Sequence, residues 1–265
     1  MNTVIRSTKN YDMFDLHEMN RDVYENTADF KNLVRSMKIH GFLDALPLHC
    51  VENGNGKLKI KGGHNRFRAA QIAGVPVKYV VSNDKATIYD LEKSGPGKWG
   101  PKDYLVSFCK QGIKSYIVLQ EYIDETGIGL QNAASMFYGQ SAGSGNFYKY
   151  GKFQSGQFAI KDYRHPRIVG DIVLFLKSIG IDWASNASLV KAISRMVFLP
   201  QFDVDRFKQK AEKHKFLIEK QKNLQAYLQM IEDVYNRKVP KDQKVNIAFL
   251  AQEAATSRGT LGFRQ

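Results

Sequence analysis

The sequence predicts an α+β domain over residues 1–91, a linker at 92–103 and an all-α domain over 104–265. Three observations carry this division. Up to about residue 85, short runs with strand alternation trade places with runs of helical period. The stretch "EKSGPGKWGPKD" (92–103) then holds three glycines and two prolines, a composition that suits a loop between domains. Beyond it the apolar residues recur at helical spacing.

Each element has its own local signal. "DFKNLVRSMKIHGF" places Phe30, Leu33, Val34 and Met37 on one helical stripe, and Gly41 suits the C-terminal cap. "ALPLHCV" reads as a short strand. "NGNG" at 53–56 is a hairpin turn, and "KLKIKG" follows with strict alternation. "HNRFRAAQIAG" reads as a helix closed by Gly74 and Pro76, and "PVKYVV" as the next strand. In the second half "YLVSFCKQGIKSYIVLQEYIDETG", "GLQNAASMFYG", "HPRIVGDIVLFLKSIG" and "ASLVKAISRMVFL" read as helices. A long helix is expected over about 203–237, with an apolar stripe at Phe207, Leu217, Leu224, Leu228 and Ile231.

Composition narrows the function classes. The chain has 265 residues, a formal net charge of +13 and a hydrophobic content of 43%. A charge so positive favours a polyanionic partner, nucleic acid first and an acidic membrane second, although solubility alone is also served by it. The excess is greater in the second half, +9 over residues 101–265 against +4 over 1–100. "MNTVIRSTKNYDMFDL" has no apolar core of signal-peptide length, and no apolar run is long enough to span a bilayer. The two cysteines, Cys50 and Cys109, form no CxxC, which offers neither a disulfide framework nor a zinc site of ordinary spacing. A cytoplasmic protein without a membrane partner is expected.

The stretch that bears chemistry is "KIKGGHNRFRAA" (59–70), a strand-to-helix corner. A helix N-terminus presents unpaired N–H groups and the positive end of the helix dipole. Glycines just before it let an anion come close to the backbone, and arginine contacts phosphate in a planar, bidentate manner. Gly62, Gly63, His64, Asn65, Arg66 and Arg68 are therefore the candidate nucleotide- or phosphate-binding residues, with His64 and Arg68 on one helix face. A glycine turn followed by solvated arginines fits the same residues.

The span from about 14 to 82 resembles the N-terminal domain of the ParB family, which shares its fold with sulfiredoxin and the free-serine kinases. The resemblance runs through Leu33, Ser36, Met37 and Gly41, through Pro47 and Leu48, through Gly63, His64, Asn65, Arg66, Phe67, Arg68, Ala69 and Ala70, and through Gly74, Pro76 and Val77. It implies a triphosphate site at the corner, with CTP or ATP and Mg²⁺ as the implied cofactor. The family motif has Glu and Arg where this chain has His64 and Asn65, so nucleotide binding carries over fully for Gly63, Arg66 and Arg68. His64 also stands where sulfiredoxin has its cysteine, which leaves that sulfinic-acid chemistry without its nucleophile. Gly63, His64 and Arg66 match the free-serine kinases, and the base such an enzyme needs would be Glu18 or Asp22. Asn20 and Arg21 keep part of an Asn-Pro-Arg stretch of ParB proteins. The chain as a whole looks most like the shorter ParB-related proteins of phages and mobile elements.

In the second half, residues 126–170 carry Lys149, Lys152, Lys161, Arg164 and Arg167 against one acid, Asp162. Phe147, Tyr148, Tyr150, Phe153, Phe158 and Tyr163 interleave with them, a pattern that suits phosphate contacts and stacking on bases. "GLQNAASMFYGQSAGSGNFYKYGKF" also reads as the start of a helix-turn-helix. The expected DNA-binding residues are Lys149, Lys152, Lys161 and Arg164. The reading is thus a ParB-like protein that binds duplex DNA and a nucleotide. The alternative is an enzyme of the same fold, a nucleotide-dependent phosphotransferase or nuclease, with His64 and Glu18 as catalytic candidates and no metal cluster evident. A third reading is an oligomeric scaffold, such as a homodimer, whose long helix pairs with a partner.

Overall fold

The computed structural model describes residues 4–19, 22–54, 56–82, 99–143 and 151–248. The chain separates into two units, residues 1–112 and 113–265.

The first unit is built on a five-stranded sheet. Its strands are β1 (Arg6–Thr8), β2 (Phe14–Leu16), β3 (Leu48–Glu52), β4 (Leu58–Gly62) and β5 (Val77–Val81), in the order β1-β5-β3-β4-β2. β3 and β4 are the antiparallel hairpin that "NGNG" announced, and β5 lies parallel to β3. The alternation of β4 has a direct outcome: Ile60 is fully buried, while Lys59 and Lys61 face away from the core. The register slips between His49 and Cys50, so that His49 faces Gly62 and Cys50 faces Ile60. This bulge bends the hairpin just before the glycine corner. Strands β1 and β2, absent from the sequence reading, complete the sheet by pairing with β5 and β4.

Two helices pack together in this unit, α1 (Ala28–His40) and α2 (His64–Ala73). Thr27 caps α1 by accepting from the Phe30 N–H at 3.2 Å, and Gly41 ends it with φ 72°. Phe14, Phe30, Met37, Leu48, Ile60, Phe67, Val77 and Tyr79 make the core, with Phe14 set edge-on to both Phe67 and Tyr79. The Tyr11 hydroxyl donates to the Val75 carbonyl at 2.8 Å and ties the N-terminal segment to the turn after α2.

Helix α3 (Pro101–Lys110) belongs to this unit, although the sequence reading gave residues from 104 onward to the helical half. The reason lies in its side chains. Ser107 is buried and donates to the Met19 carbonyl, and Lys110 pairs with Asp22 at 2.6 Å. Pro101 to Asp103, expected as linker, form its first turn, and residues 92–98 lie outside the described ones.

The second unit is helical among its described residues: α4 (Lys114–Thr126), α5 (Leu130–Phe137), α6 (Arg164–Ser178), α7 (Ala187–Val197), α8 (Val204–Lys213) and α9 (Leu224–Tyr235). Helix α7 packs on both α6 and α9. The single helix expected over 203–237 is two helices. His214 ends α8, a 3₁₀ turn spans Lys215–Leu217, Ile218 turns into the core, and Asn223 starts α9 by accepting from the Ala226 N–H at 2.9 Å. Phe207, Leu228 and Ile231 are buried as expected, whereas Leu217 and Leu224 are only half-buried. After α5, the next helix among the described residues is α6, and residues 151–163 form turns and irregular segments. Among the described residues no helix is long and apolar enough to cross a membrane.

Candidate functional site

The corner forms where β4 hands over to α2. Gly63 takes φ 102°, a left-handed conformation that L side chains rarely adopt. It is also crowded: a Cβ there would come within 2.8 Å of Leu48 Cδ2 and 3.1 Å of Arg66 Nη2. The glycine thus makes room for the chain's own Leu48 and Arg66.

Arg66 folds back across this glycine. Its Nη1 donates to the carbonyls of Leu46 and of Pro47, the latter at 3.0 Å. The guanidinium thereby fastens the segment that enters β3 to the first turn of α2. The fork expected to grip phosphate is here aimed at main-chain carbonyls.

His64 is 6% exposed, and its Nε2 accepts from the His17 N–H at 3.1 Å. His17 Nδ1 in turn accepts from the Met19 N–H at 3.3 Å. The two rings hold the chain that leaves β2 against the start of α2. Burial, and then the charge of neighbouring His17, push the His64 pKa down to about 4. His64 is therefore a neutral ring near pH 7, with Nε2 serving as an acceptor.

Arg68 has the opposite orientation. It is exposed, its Nε donates to Glu25 at 2.7 Å, and its Nη1 donates to Gln71 at 3.3 Å. It lines a cleft of about 550 Å³, with His17, Glu18, Asp22, Glu25, His64, Phe67 and Lys110 among the other walls. Three ion pairs sit in or beside it: the exposed Arg68 with Glu25 and Lys110 with Asp22, and the half-buried Lys59 with Glu18 at 3.1 Å. Hydrogen bonds from its own backbone and from Lys59 keep the Glu18 carboxyl below the usual carboxylate range.

Of the residues singled out from the sequence, the cleft gathers His64, Arg68, Glu18 and Asp22. Gly62, Gly63, Asn65 and Arg66 are not among its lining residues. Glu25, Gln71 and Lys110 went unrecognised. Gln71 could have been found, since it follows Arg68 by three residues on the helix surface. Lys110 had no such signal, because its helix was assigned to the other half. Asn20 and Arg21 lie outside the described residues.

In the second unit Lys152, Lys161 and Arg164 are exposed, and Lys149 lies outside the described residues. Lys161 Nζ sits 3.8 Å from the Tyr138 ring centre. Two of the aromatics expected to stack on bases are core instead. Phe153 and Phe158 are 0% and 3% exposed and surround Tyr116, whose hydroxyl donates to the Phe153 carbonyl at 2.8 Å. Burying these rings takes their apolar surface out of water and places them against Tyr116. Tyr163 does remain exposed. Phe147, Tyr148 and Tyr150 lie outside the described residues.

No family model matches the chain, and no curated protein matches it significantly.

Proposed function

We propose that this chain is a ParB-like DNA-binding protein whose first unit holds a nucleotide, CTP or ATP with Mg²⁺, in the cleft beside α2. The observation that carries the reading is the set of exchangeable cations there. Arg68 and Lys110 reach into the cleft from two helices and rest on exposed carboxylates. Exposed ion pairs contribute only about 0–1 kcal/mol, so an incoming phosphate displaces the carboxylates at little cost. Arg68 then offers its guanidinium to phosphate oxygens and Lys110 adds a point charge. Among the described residues no cluster of three or more His, Cys, Asp or Glu is placed to hold a metal ion; with a Mg²⁺–nucleotide bound, Asp22 or Glu25 would supply the one carboxylate, and phosphates and water would complete the ion's shell. The ligand set moves from Arg66 to Arg68 and Lys110, and the glycine corner keeps the role of placing α2. Duplex DNA docks on the second unit through Lys152, Lys161 and Arg164, and Lys149 extends the same basic stretch.

The test is a nucleotide titration with and without duplex DNA, using CTP and ATP with Mg²⁺. Arg68→Ala and Lys110→Ala should each weaken nucleotide binding about tenfold, as expected for a lost charge-assisted hydrogen bond. Unchanged affinity in both variants would remove the cleft as the site. One observation favours a second reading, a phosphotransferase: Glu18 is held ionised in the same cleft, where a base would be needed. Product formation in the same tubes, lost in Glu18→Gln with binding retained, would establish that reading instead.

A further inference from the structure

The break between α8 and α9 exposes a feature that the nucleotide cleft and the 152–164 stretch do not use. Phe216 is 66% exposed, a large apolar ring left in water. It stands in the 3₁₀ turn Lys215–Leu217, edge-on to His214 at 6.1 Å. The residues around it in sequence are strongly basic: Lys213, Lys215, Lys220 and Lys222 are all exposed, with Glu212 and Glu219 as the acids of the stretch.

A second basic segment meets it from beyond α9. Lys210 Nζ donates to the Arg237 carbonyl at 2.7 Å, which ties the last turn of α8 to residues 237–238. Lys238 has φ 54°, the one non-glycine residue with positive φ among those described. Asn236 secures this loop by donating to the Val245 carbonyl at 2.8 Å and accepting from the Val245 N–H at 3.0 Å. The fold thus holds a lysine in a conformation that usually calls for glycine, beside an arginine, at the end of a lysine-rich helix. Local loss of water and then the charges of Lys238, Arg237, Lys210 and Lys213 lower the pKa of His214, the ring beside Phe216.

Like charges gathered this closely repel one another, and an anion relieves the repulsion. The exposed ring narrows the kind of anion. A membrane-inserting loop presents several apolar side chains, but Leu217 is half-buried and Ile218 is buried, so Phe216 stands alone. In an intact duplex the bases stack on each other and offer no face to a ring, whereas an unpaired base does.

We propose that the tip formed by residues 213–216 and 237–238 docks single-stranded nucleic acid, with Phe216 stacking on an unpaired base and Lys213, Arg237 and Lys238 contacting adjacent phosphates. The proposal extends the DNA-binding reading to a second surface and a different form of the ligand.

The experiment measures binding of the full chain to labelled oligo-dT, to a labelled blunt duplex and to anionic phospholipid vesicles over a range of salt. Phe216→Ala should weaken oligo-dT binding about tenfold and leave duplex binding within about twofold. Neutralising Lys213, Arg237 and Lys238 together should lower the log–log salt slope on oligo-dT by about 2, at roughly 0.7 per phosphate on single strands. Circular dichroism of both variants checks that the fold is kept. Equal loss on duplex and oligo-dT in Phe216→Ala, no loss on either, or loss confined to vesicles would each overturn the proposal. Neutralising Lys152, Lys161 and Arg164 separates it from the parent reading. Duplex binding lost there, with Phe216→Ala silent on oligo-dT, sinks the tip alone. Oligo-dT binding that depends on Phe216, with no duplex binding in the parent protein, sinks the 152–164 surface alone. No binding to either nucleic acid overturns both.

Discussion

Arg66 and Arg68 stand two positions apart on α2 and have opposite tasks. One closes the corner by donating to two carbonyls, and the other faces an open cleft. Arg66→Ala should therefore cost about 1–3 kcal/mol of stability, because a charged donor is lost and carbonyls are left without it. Arg68→Ala should stay within about 1 kcal/mol, as an exposed pair contributes little. Denaturant unfolding of the two variants checks this, and an equal loss in both would return Arg66 to the surface. His64 supplies a pH dependence. Its folded pKa of about 4 lies below the ordinary 6.5, so on acidification the unfolded chain takes up the proton first. Stability from the neutral ring is complete above pH 6.5 and is lost as pH falls toward 4. Between pH 7 and pH 5 the loss amounts to about 2 kcal/mol. Burial likewise lowers the pKa of His17, which adds a contribution of the same sign. Unfolding midpoints at the two pH values should differ accordingly, and His64→Asn should flatten the difference. A ring titrating near pH 6.5 by NMR would contradict it.

At the scale of elements, aromatic residues decide which part of the 126–170 stretch is wall and which is surface. Tyr116 of α4 collects Phe153 at 5.1 Å and Phe158 at 5.6 Å between ring centres. Its hydroxyl also accepts from the Phe158 N–H at 3.3 Å. The irregular segment after residue 151 is thereby anchored to a helix by its own side chains. Phe153→Ala should cost about 3–5 kcal/mol, the range for truncating a buried aromatic, with little direct effect on DNA contacts. Near-native stability with weakened DNA binding would mean that the ring faces the ligand. The α8–α9 break has a similar origin. The turn after α8 keeps Ile218 buried, and Asn223 caps a new helix.

For the whole molecule the governing quantity is charge. A net charge of +13 cannot be neutralised internally, and its excess lies in the helical half. On the proposed DNA-binding reading, affinity for duplex DNA should weaken steeply with salt as counterions are released. Neutralising Lys152, Lys161 and Arg164 together should lower the log–log slope by up to about 3, at roughly 0.9 per phosphate. A slope unchanged by the triple substitution would take the duplex surface away from this stretch.

The block from α1 to β5 was legible because each of its signals is local. The alternation of "KLKIKG", the turn "NGNG" and the glycines at 41, 63 and 74 act within a few residues of themselves, and all three glycines take positive φ. The basic excess of the helical half is equally a property of sequence alone. Strands β1 and β2 were not legible: three residues hold too little alternation to register, and each becomes a strand only by pairing with β5 or β4. Only the tertiary structure decided that Arg66 bonds the chain entering β3, since the carbonyls of Leu46 and Pro47 lie about twenty residues before it. It likewise decided that Lys110 joins Arg68 in one cleft, across 42 positions, and that Phe153 and Phe158 turn inward around Tyr116. Composition records that a side chain can bond phosphate, a carbonyl or a ring. The choice among these belongs to whichever partner the folded backbone brings within reach, and that partner is distant in sequence.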